Sequence, residues 1–267
     1  MSINSSIKPQ RSVIQQNFDS YAEIYHEKFN QNPLARYQRE RVHQEIKPYL
    51  RSVRKILDVG CGPGSDFDFY KSLDLVVDAI DLSPKMVELA KIRSNRIDLK
   101  ANIAVASLEE LQSNENYPVI ILNFGVINSF QHLEPALKKL KTLLEPRGIL
   151  IIVSMPPFHI FSIKGLAVGF HFIKMMNRLF KRKAFFDDGF TIYYFCKKDF
   201  IQHFDIVSKI NLCALLPTPD QYCRWKWLRL YSKIMIHPDR KVAAVLPDFF
   251  GGDHICYIMQ PKVQNIR

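Results

Sequence analysis

The chain has 267 residues, 47% of them apolar, and a formal net charge of +11. That is ample for one α/β domain of ordinary size plus an elaboration. The five cysteines (Cys61, Cys196, Cys213, Cys223, Cys256) form no CxxC pair and no metal-like spacing, which argues against a metal site and suits a reducing, cytoplasmic setting. No apolar run reaches membrane-spanning length, and the first dozen residues hold no apolar signal core.

In chain order, residues 11–30 and 33–50 read as two amphipathic helices, with Pro33 opening the second. The apolar strand Ile56-Leu57 then runs into Asp58, Val59 and the turn Gly60-Cys61-Gly62-Pro63-Gly64. Three glycines at alternate positions leave no side chains between backbone and ligand, and they permit dihedrals that other residues resist. A helix start follows, so free N–H groups point into the turn. A carboxylate at Asp58 would repel a pyrophosphate but suits a ligand that carries an amino group. Leu75–Ile80 is a second strand ending in Asp81, and Ser83-Pro84 has the form of an N-cap followed by a proline at the first helical position. An acid at a strand end accepts hydrogen bonds from both ribose hydroxyls of a nucleoside cofactor. The dinucleotide fingerprint requires a glycine three residues beyond Gly62, where Ser65 stands, so a nicotinamide site is disfavoured.

Further strands are expected near 101–105, 118–123 and 148–154, with helical stretches between them, and a last pair near 206–215 and 254–260. The alternation predicts a doubly wound α/β fold: a Rossmann-like, seven-stranded, mostly parallel sheet with N-terminal helices and a helical, substrate-covering insertion. The domain reading is a helical cap over 1–50, a cofactor-binding core over 51–154, a covering region over 155–241 and a final strand within 242–267.

Taken together, LDVGCGPG, AIDLSPKMVELA, NFGVINSF and LKKLKTLLEPRGILIIV resemble the class I S-adenosylmethionine (SAM)-dependent methyltransferases, over about residues 18–154. The resemblance implies SAM as cofactor. Gly60, Cys61, Gly62 and Gly64 would pass under its methionine part, with Asp58 near the amino group. Asp81 would hold the ribose, and Leu82 and Met86 would flank the adenine. Ser107 and Leu108 fall where the family usually ends its third strand in an acid. Tyr25 and Arg36 match the residues that close over the methionine carboxylate. Asn123 opens the loop to His132 that would face the transferring methyl. His132 and His159 are the nearest candidate bases, Tyr193, Tyr194 and Phe195 could line an acceptor pocket, and no residue is assigned a catalytic role.

The charge is concentrated. Residues 155–241 hold 15 Lys/Arg against 6 Asp/Glu, and residues 1–154 hold 20 against 18. Within 161–181, Lys164, His171, Lys174, Arg178 and Lys181 recur at helical steps beside a broad apolar face. Such a helix can lie in a membrane interface with its lysines toward anionic headgroups, or pack as a lid over a greasy pocket. Arg224–Tyr231 is a second basic, aromatic stretch. Both favour a small lipid-like acceptor or one delivered by an acidic carrier, with peripheral membrane contact. Basic aromatic surfaces also bind nucleic acid. The Pro156-Pro157 pair, however, follows the fifth strand rather than the fourth and lacks a leading Asn, so nucleic acid is disfavoured and the pair reads as a loop breaker. The alternatives left open are an RNA or protein methyltransferase and a SAM-binding protein without catalysis. The latter is suggested by Ser107 and by Pro118, where an acid commonly precedes the fourth strand.

Overall fold

Apolar strands alternating with amphipathic helices build one seven-stranded sheet. The computed structural model describes residues 13–20, 22, 31–112, 115–169, 171–185, 190–247 and 251–262. The strands of the sheet are β1 (Lys55–Val59), β2 (Val76–Asp81), β3 (Ala101–Val105), β4 (Tyr117–Leu122), β5 (Leu144–Ser154), β8 (Phe204–Leu212) and β9 (His254–Pro261). They lie in the order β3-β2-β1-β4-β5-β9-β8. β1 pairs in parallel with β2 and β4, and β9 runs antiparallel to both β5 and β8. The expected mostly parallel, doubly wound sheet is therefore present.

Residues 13–20 form α1, and α2 spans Pro33–Leu50. The start of α2 follows from local chemistry: the Asn32 side chain accepts from the N–H groups of Leu34 and Ala35, and Pro33 occupies the first turn. Its Leu34, Gln38, Val42, Ile46 and Leu50, four residues apart, are buried. Full burial of such aliphatic side chains stabilises by about 1.5–3 kcal/mol each. The helices α3 (Phe67–Lys71) and α4 (Pro84–Arg96) follow β1 and β2. Ser83 caps α4 through a 3.1 Å bond from Met86 N–H, as its position before Pro84 implies. One core layer joins Val42, Ile46 and Leu50 to Val77, Val119 and Ile151. A second joins Leu57, Ile120 and Ile152 to Leu137, Leu140 and Phe200. Both faces of the sheet are covered, which leaves its carboxyl edge as the place for a ligand.

After β4, a 3-10 turn over Val126–Ser129 leads to α5 (Leu133–Leu143). The covering region departs from the expected single basic helix. It breaks at Gly169 into α6 (Ile160–Val168) and α7 (Phe172–Met176), then widens into a π-helical turn over Asn177–Lys181. The two glycines, Gly165 and Gly169, are poor helix formers. Arg178 leaves the stripe altogether. It turns inward, donates to the carbonyls of Pro157 and Pro156 at 2.8 and 3.2 Å, and lies 4.4 Å over the Tyr194 ring. The loop-breaking Pro-Pro pair thus supplies acceptors that draw one of the expected surface cations inside. A short hairpin, β6 (Lys183–Phe185) with β7 (Thr191–Tyr193), follows. The short α8 (Lys197–Phe200), α9 (Pro219–Arg224) and α10 (Lys226–Val242) complete the chain. No helix among the described residues is long and apolar enough to cross a membrane.

Candidate active site

The turn after β1 leans across the end of β2: Gly60 and Cys61 N–H both donate to the Ile80 carbonyl, at 2.7 and 3.1 Å. Gly60, Gly62 and Gly64 take φ values of 73°, 53° and 72°, in the left-handed region that side chains resist. The three glycines are not equivalent. A Cβ on Gly60 would come within 2.5 Å of the Val126 side chain, and one on Gly64 within 2.6 Å of Phe67. A Cβ on Gly62 would meet nothing within 4 Å. The middle glycine faces open space, and the outer two are packed from behind.

Asp81 braces this turn. Its Oδ2 accepts from Gly62 N–H at 2.8 Å and its Oδ1 from Ser83 N–H at 2.9 Å. Burial raises its pKa, opposed by these backbone donors. Ser83 in turn donates to Asp19 of α1, which ties the N-terminal segment to the same corner. Asp58 is only 2% exposed. Burial first, and then the nearby Asp66 charge, push its pKa well up. A cationic amino group brought beside it would offset that cost.

A second acid, not singled out from sequence, organises the neighbouring side of this corner. Asp66 Oδ1 meets Arg39 at 2.7 Å and His43 at 2.6 Å, and its Oδ2 accepts from the Asn123 amide at 3.0 Å. Burial works against ionisation here. The Arg39 charge and the His43 contact outweigh it and hold Asp66 well below the usual carboxylate range. Arg39 also lies 4.7 Å over the Phe124 ring, and His43 stacks on Phe69 at 4.0 Å. Asn123 Oδ1 is buried without a hydrogen-bond partner among the described residues, an acceptor waiting for a donor.

The structure brings Asp58, Gly60, Cys61, Gly62, Gly64, Asp81 and Asn123 to one corner. The adenine-side residues are more mixed. Leu82 is half-buried and Met86 fully buried at the start of α4. Ser107 uses its hydroxyl to accept from Glu110 N–H at 3.3 Å, capping a turn. Leu108 packs into the core with Val59 and Ile80. Arg36 is exposed on α2; Arg39, three residues on, is the arginine that reaches the corner. Tyr25 lies outside the described residues.

Neither candidate base survives as an obvious one. His132 is exposed at the start of α5. His159 is fully buried, donates from Nε2 to the Cys213 and Leu216 carbonyls at 3.1 Å each, and has Ser162 Oγ at 3.0 Å from Nδ1. Burial lowers its pKa; it is a neutral, fully engaged core histidine. Tyr194 is buried under Arg178, and Tyr193 and Phe195 are half-buried beside it.

The corner fits SAM. There is open space above Gly62, a buried carboxylate at Asp58 suited to an amino group, a strand-end acid at Asp81 and an unsatisfied acceptor at Asn123.

Residues 57–152 match the family model described as a methyltransferase domain. The ubiquinone biosynthesis O-methyltransferase of Pelagibacter ubique is 31% identical over 132 residues, 47% of this chain and 54% of that protein. The malonyl-[acyl-carrier protein] O-methyltransferase of Acetivibrio thermocellus is 29% identical over 136 residues, 50% of this chain and 44% of that protein. The chain thus spans about half the length of the curated relatives it matches. Among solved structures, the 1,6-didemethyltoxoflavin-N1-methyltransferase of Burkholderia thailandensis aligns over 95% of this chain and 88% of its own, with a TM-score of 0.59 and 14% identity. A SAM-dependent methyltransferase from Clostridium acetobutylicum aligns over 91% and 98%, with a TM-score of 0.58 and 12% identity. At these identities the structures show a shared fold, while the family match covers the strands that build the glycine corner. Residues 57–152 are thus similar to a methyltransferase domain, on a fold shared with solved SAM-dependent methyltransferases.

Proposed function

We propose that this protein transfers a methyl group from SAM to a small acceptor that is lipid-like or carrier-bound. The observation that carries the reading is the glycine corner itself: Gly62 open to space, Asp81 bracing it and Asp58 buried beneath. Bound there, SAM supplies a methyl on a positively charged sulfur, already activated for in-line displacement. The protein's part is to bind, orient and exclude water, and positioning of this kind can supply about 7–11 kcal/mol. Asp58 would take the amino group and Asp81 the ribose hydroxyls. Leu82, Met86, Ser107 and Leu108 would border the adenine, and Asn123 Oδ1 would accept from the ligand on the methyl-transfer side.

The acceptor class rests on the covering region. Phe172, Ile173, Met176, Asn177, Phe180 and Lys181 line an open groove of about 340 Å³. Ile173 is 79% and Phe180 73% exposed, with Lys174 and Lys181 beside them. Large apolar side chains flanked by lysines suit an anionic lipid surface, which supports a position at the membrane periphery, where an amphiphilic acceptor resides. Both relatives above are named as O-methyltransferases, one acting in ubiquinone biosynthesis and one on a carrier-bound acyl group. Those names favour an oxygen acceptor here.

The test is methyl-labelled SAM with purified protein and a cell extract, followed by fractionation. Label in the organic phase, or on a small acidic carrier, is the expected result. Label in RNA or in bulk protein would overturn the acceptor class.

A further inference from the structure

Gly251 and Gly252 lead into β9 through a gap that leaves no room for side chains. A Cβ on Gly251 would meet the Phe158 carbonyl oxygen at 2.4 Å, and one on Gly252 the Leu212 carbonyl oxygen at 2.0 Å. The pair is threaded between the loop after β5 and the end of β8. It delivers Asp253 and His254 to the carboxyl edge of the sheet, where the next residue, Ile255, pairs with Ser154. Asp253 Oδ2 accepts from the Gln38 amide at 2.9 Å and from His254 Nδ1 at 3.2 Å. Gln38 is buried on α2, so the acid is anchored from two directions. With Nδ1 donating to Asp253, the imidazole lone pair sits on Nε2, for which the described residues provide no hydrogen-bond partner.

The ring is also in the right place. It meets Phe124 edge-on, centroids 5.7 Å apart. Phe124 has φ 44° and directly follows Asn123 in the loop that faces the transferring methyl. Through Arg39 the same phenylalanine is one contact from Asp66 and the glycine turn. A histidine whose far nitrogen is held by a carboxylate is the arrangement a general base needs. Resting on the methyl-transfer reading above, we propose that His254, oriented by Asp253, takes the proton from a hydroxyl-bearing acceptor such as a phenol. The acceptor oxygen bonds to the methyl carbon as the carbon–sulfur bond breaks, leaving its electron pair on sulfur. The oxygen's proton passes to Nε2, and the resulting imidazolium is stabilised by the Asp253 carboxylate.

The state of Asp253 suits that role. Although burial opposes ionisation, His254 beside it holds it well below the usual carboxylate range. Among the described residues, the other charged or titratable groups near the pair are Arg39 across Phe124, Cys213, Tyr194 and the neutral His159, whose Nδ1 lies 3.9 Å from Asp253 Oδ1. Asp66 is unsuited to the same role because Arg39 and His43 occupy its Oδ1 and the Asn123 amide its Oδ2.

The experiment uses the full chain, catechol as hydroxyl probe, and S-adenosylhomocysteine binding as the control for fold and cofactor site. His254→Gln is expected to lower kcat for catechol by about 10²–10⁴-fold with unchanged S-adenosylhomocysteine affinity. Part of the lost rate should return at alkaline pH, where catechol ionises unaided. Nitrogen-15 spectra should show His254 as the Nδ1–H tautomer in the wild type and lose that preference in Asp253→Asn. An unchanged catechol rate in His254→Gln, or an unchanged tautomer in Asp253→Asn, overturns the base and leaves methyl transfer standing. A wild type that binds S-adenosylhomocysteine yet methylates neither catechol nor any compound of a cell extract overturns both.

Discussion

Asp81 Oδ2 accepts a 2.8 Å hydrogen bond from the Gly62 backbone, so the acid proposed for the ribose also holds the turn on which the methionine part would lie. Asp81→Ala removes two roles together. Hydrogen bonds to a charged acceptor are worth about 1.5–3 kcal/mol each. Loss of even one weakens SAM by roughly tenfold to a hundredfold, and release of the turn adds to this. Calorimetry that finds unchanged affinity would remove the ribose assignment.

Gly62→Ala separates ligand space from packing. The new methyl meets no protein atom, so the folded state loses only about 1–2 kcal/mol from the left-handed backbone. The methyl group fills the space reserved for the cofactor, and SAM binding should fall far more than stability does. Gly60→Ala, which strikes Val126, should instead unfold the corner. Thermal melts and binding isotherms on both variants decide the matter; equal affinity in Gly62→Ala and wild type would mean that the cofactor lies elsewhere.

The Asp66 cluster should be visible in acid. Its folded pKa is depressed, so the stability it contributes is present above the unfolded carboxylate value of about 3.9 and is lost as pH falls toward the folded value. Asp66→Asn leaves Arg39 without its buried partner, at a cost of about 3–5 kcal/mol near neutrality. The gap between variant and wild type should narrow below about pH 4. Urea midpoints measured across pH test this, and a gap independent of pH would deny the cluster its charge.

Ile173 and Phe180 are exposed apolar side chains beside lysines, and replacing both with serine should barely touch stability, within about 0.5 kcal/mol. Co-sedimentation with phosphatidylglycerol vesicles should drop at least tenfold, since burying one such side chain is worth about 1.5–3 kcal/mol. Wild-type protein that stays in the supernatant would end the membrane reading.

The corner was legible where its chemistry is local. Ser83 caps α4 because a hydroxyl before Pro84 can reach Met86 N–H, and Asn32 does the same for α2. The alternate glycines announce a turn with positive φ whatever surrounds them. Arg36 illustrates the limit: two arginines three residues apart suit the same motif, and only the packing of Gln38 and Val42 against the sheet turns Arg39 toward Asp66. Ser107 and Leu108 matched by position, yet one caps a turn and the other fills the core.

From the sequence alone come the strand–helix alternation, the glycine turn, the strand-end acid and the capped helices, because each depends on neighbours within a few residues. Tertiary structure alone decided that Asp66, Arg39, His43 and Asn123 converge, that Arg178 turns inward onto the Pro156 and Pro157 carbonyls, and that the Gly251-Gly252 pair sets His254 against Phe124. Those contacts join residues from about 20 to 130 positions apart. Their partners are chosen by burial, by unsatisfied carbonyls and by charge compensation in a shared low-dielectric space, none of which is written in local spacing.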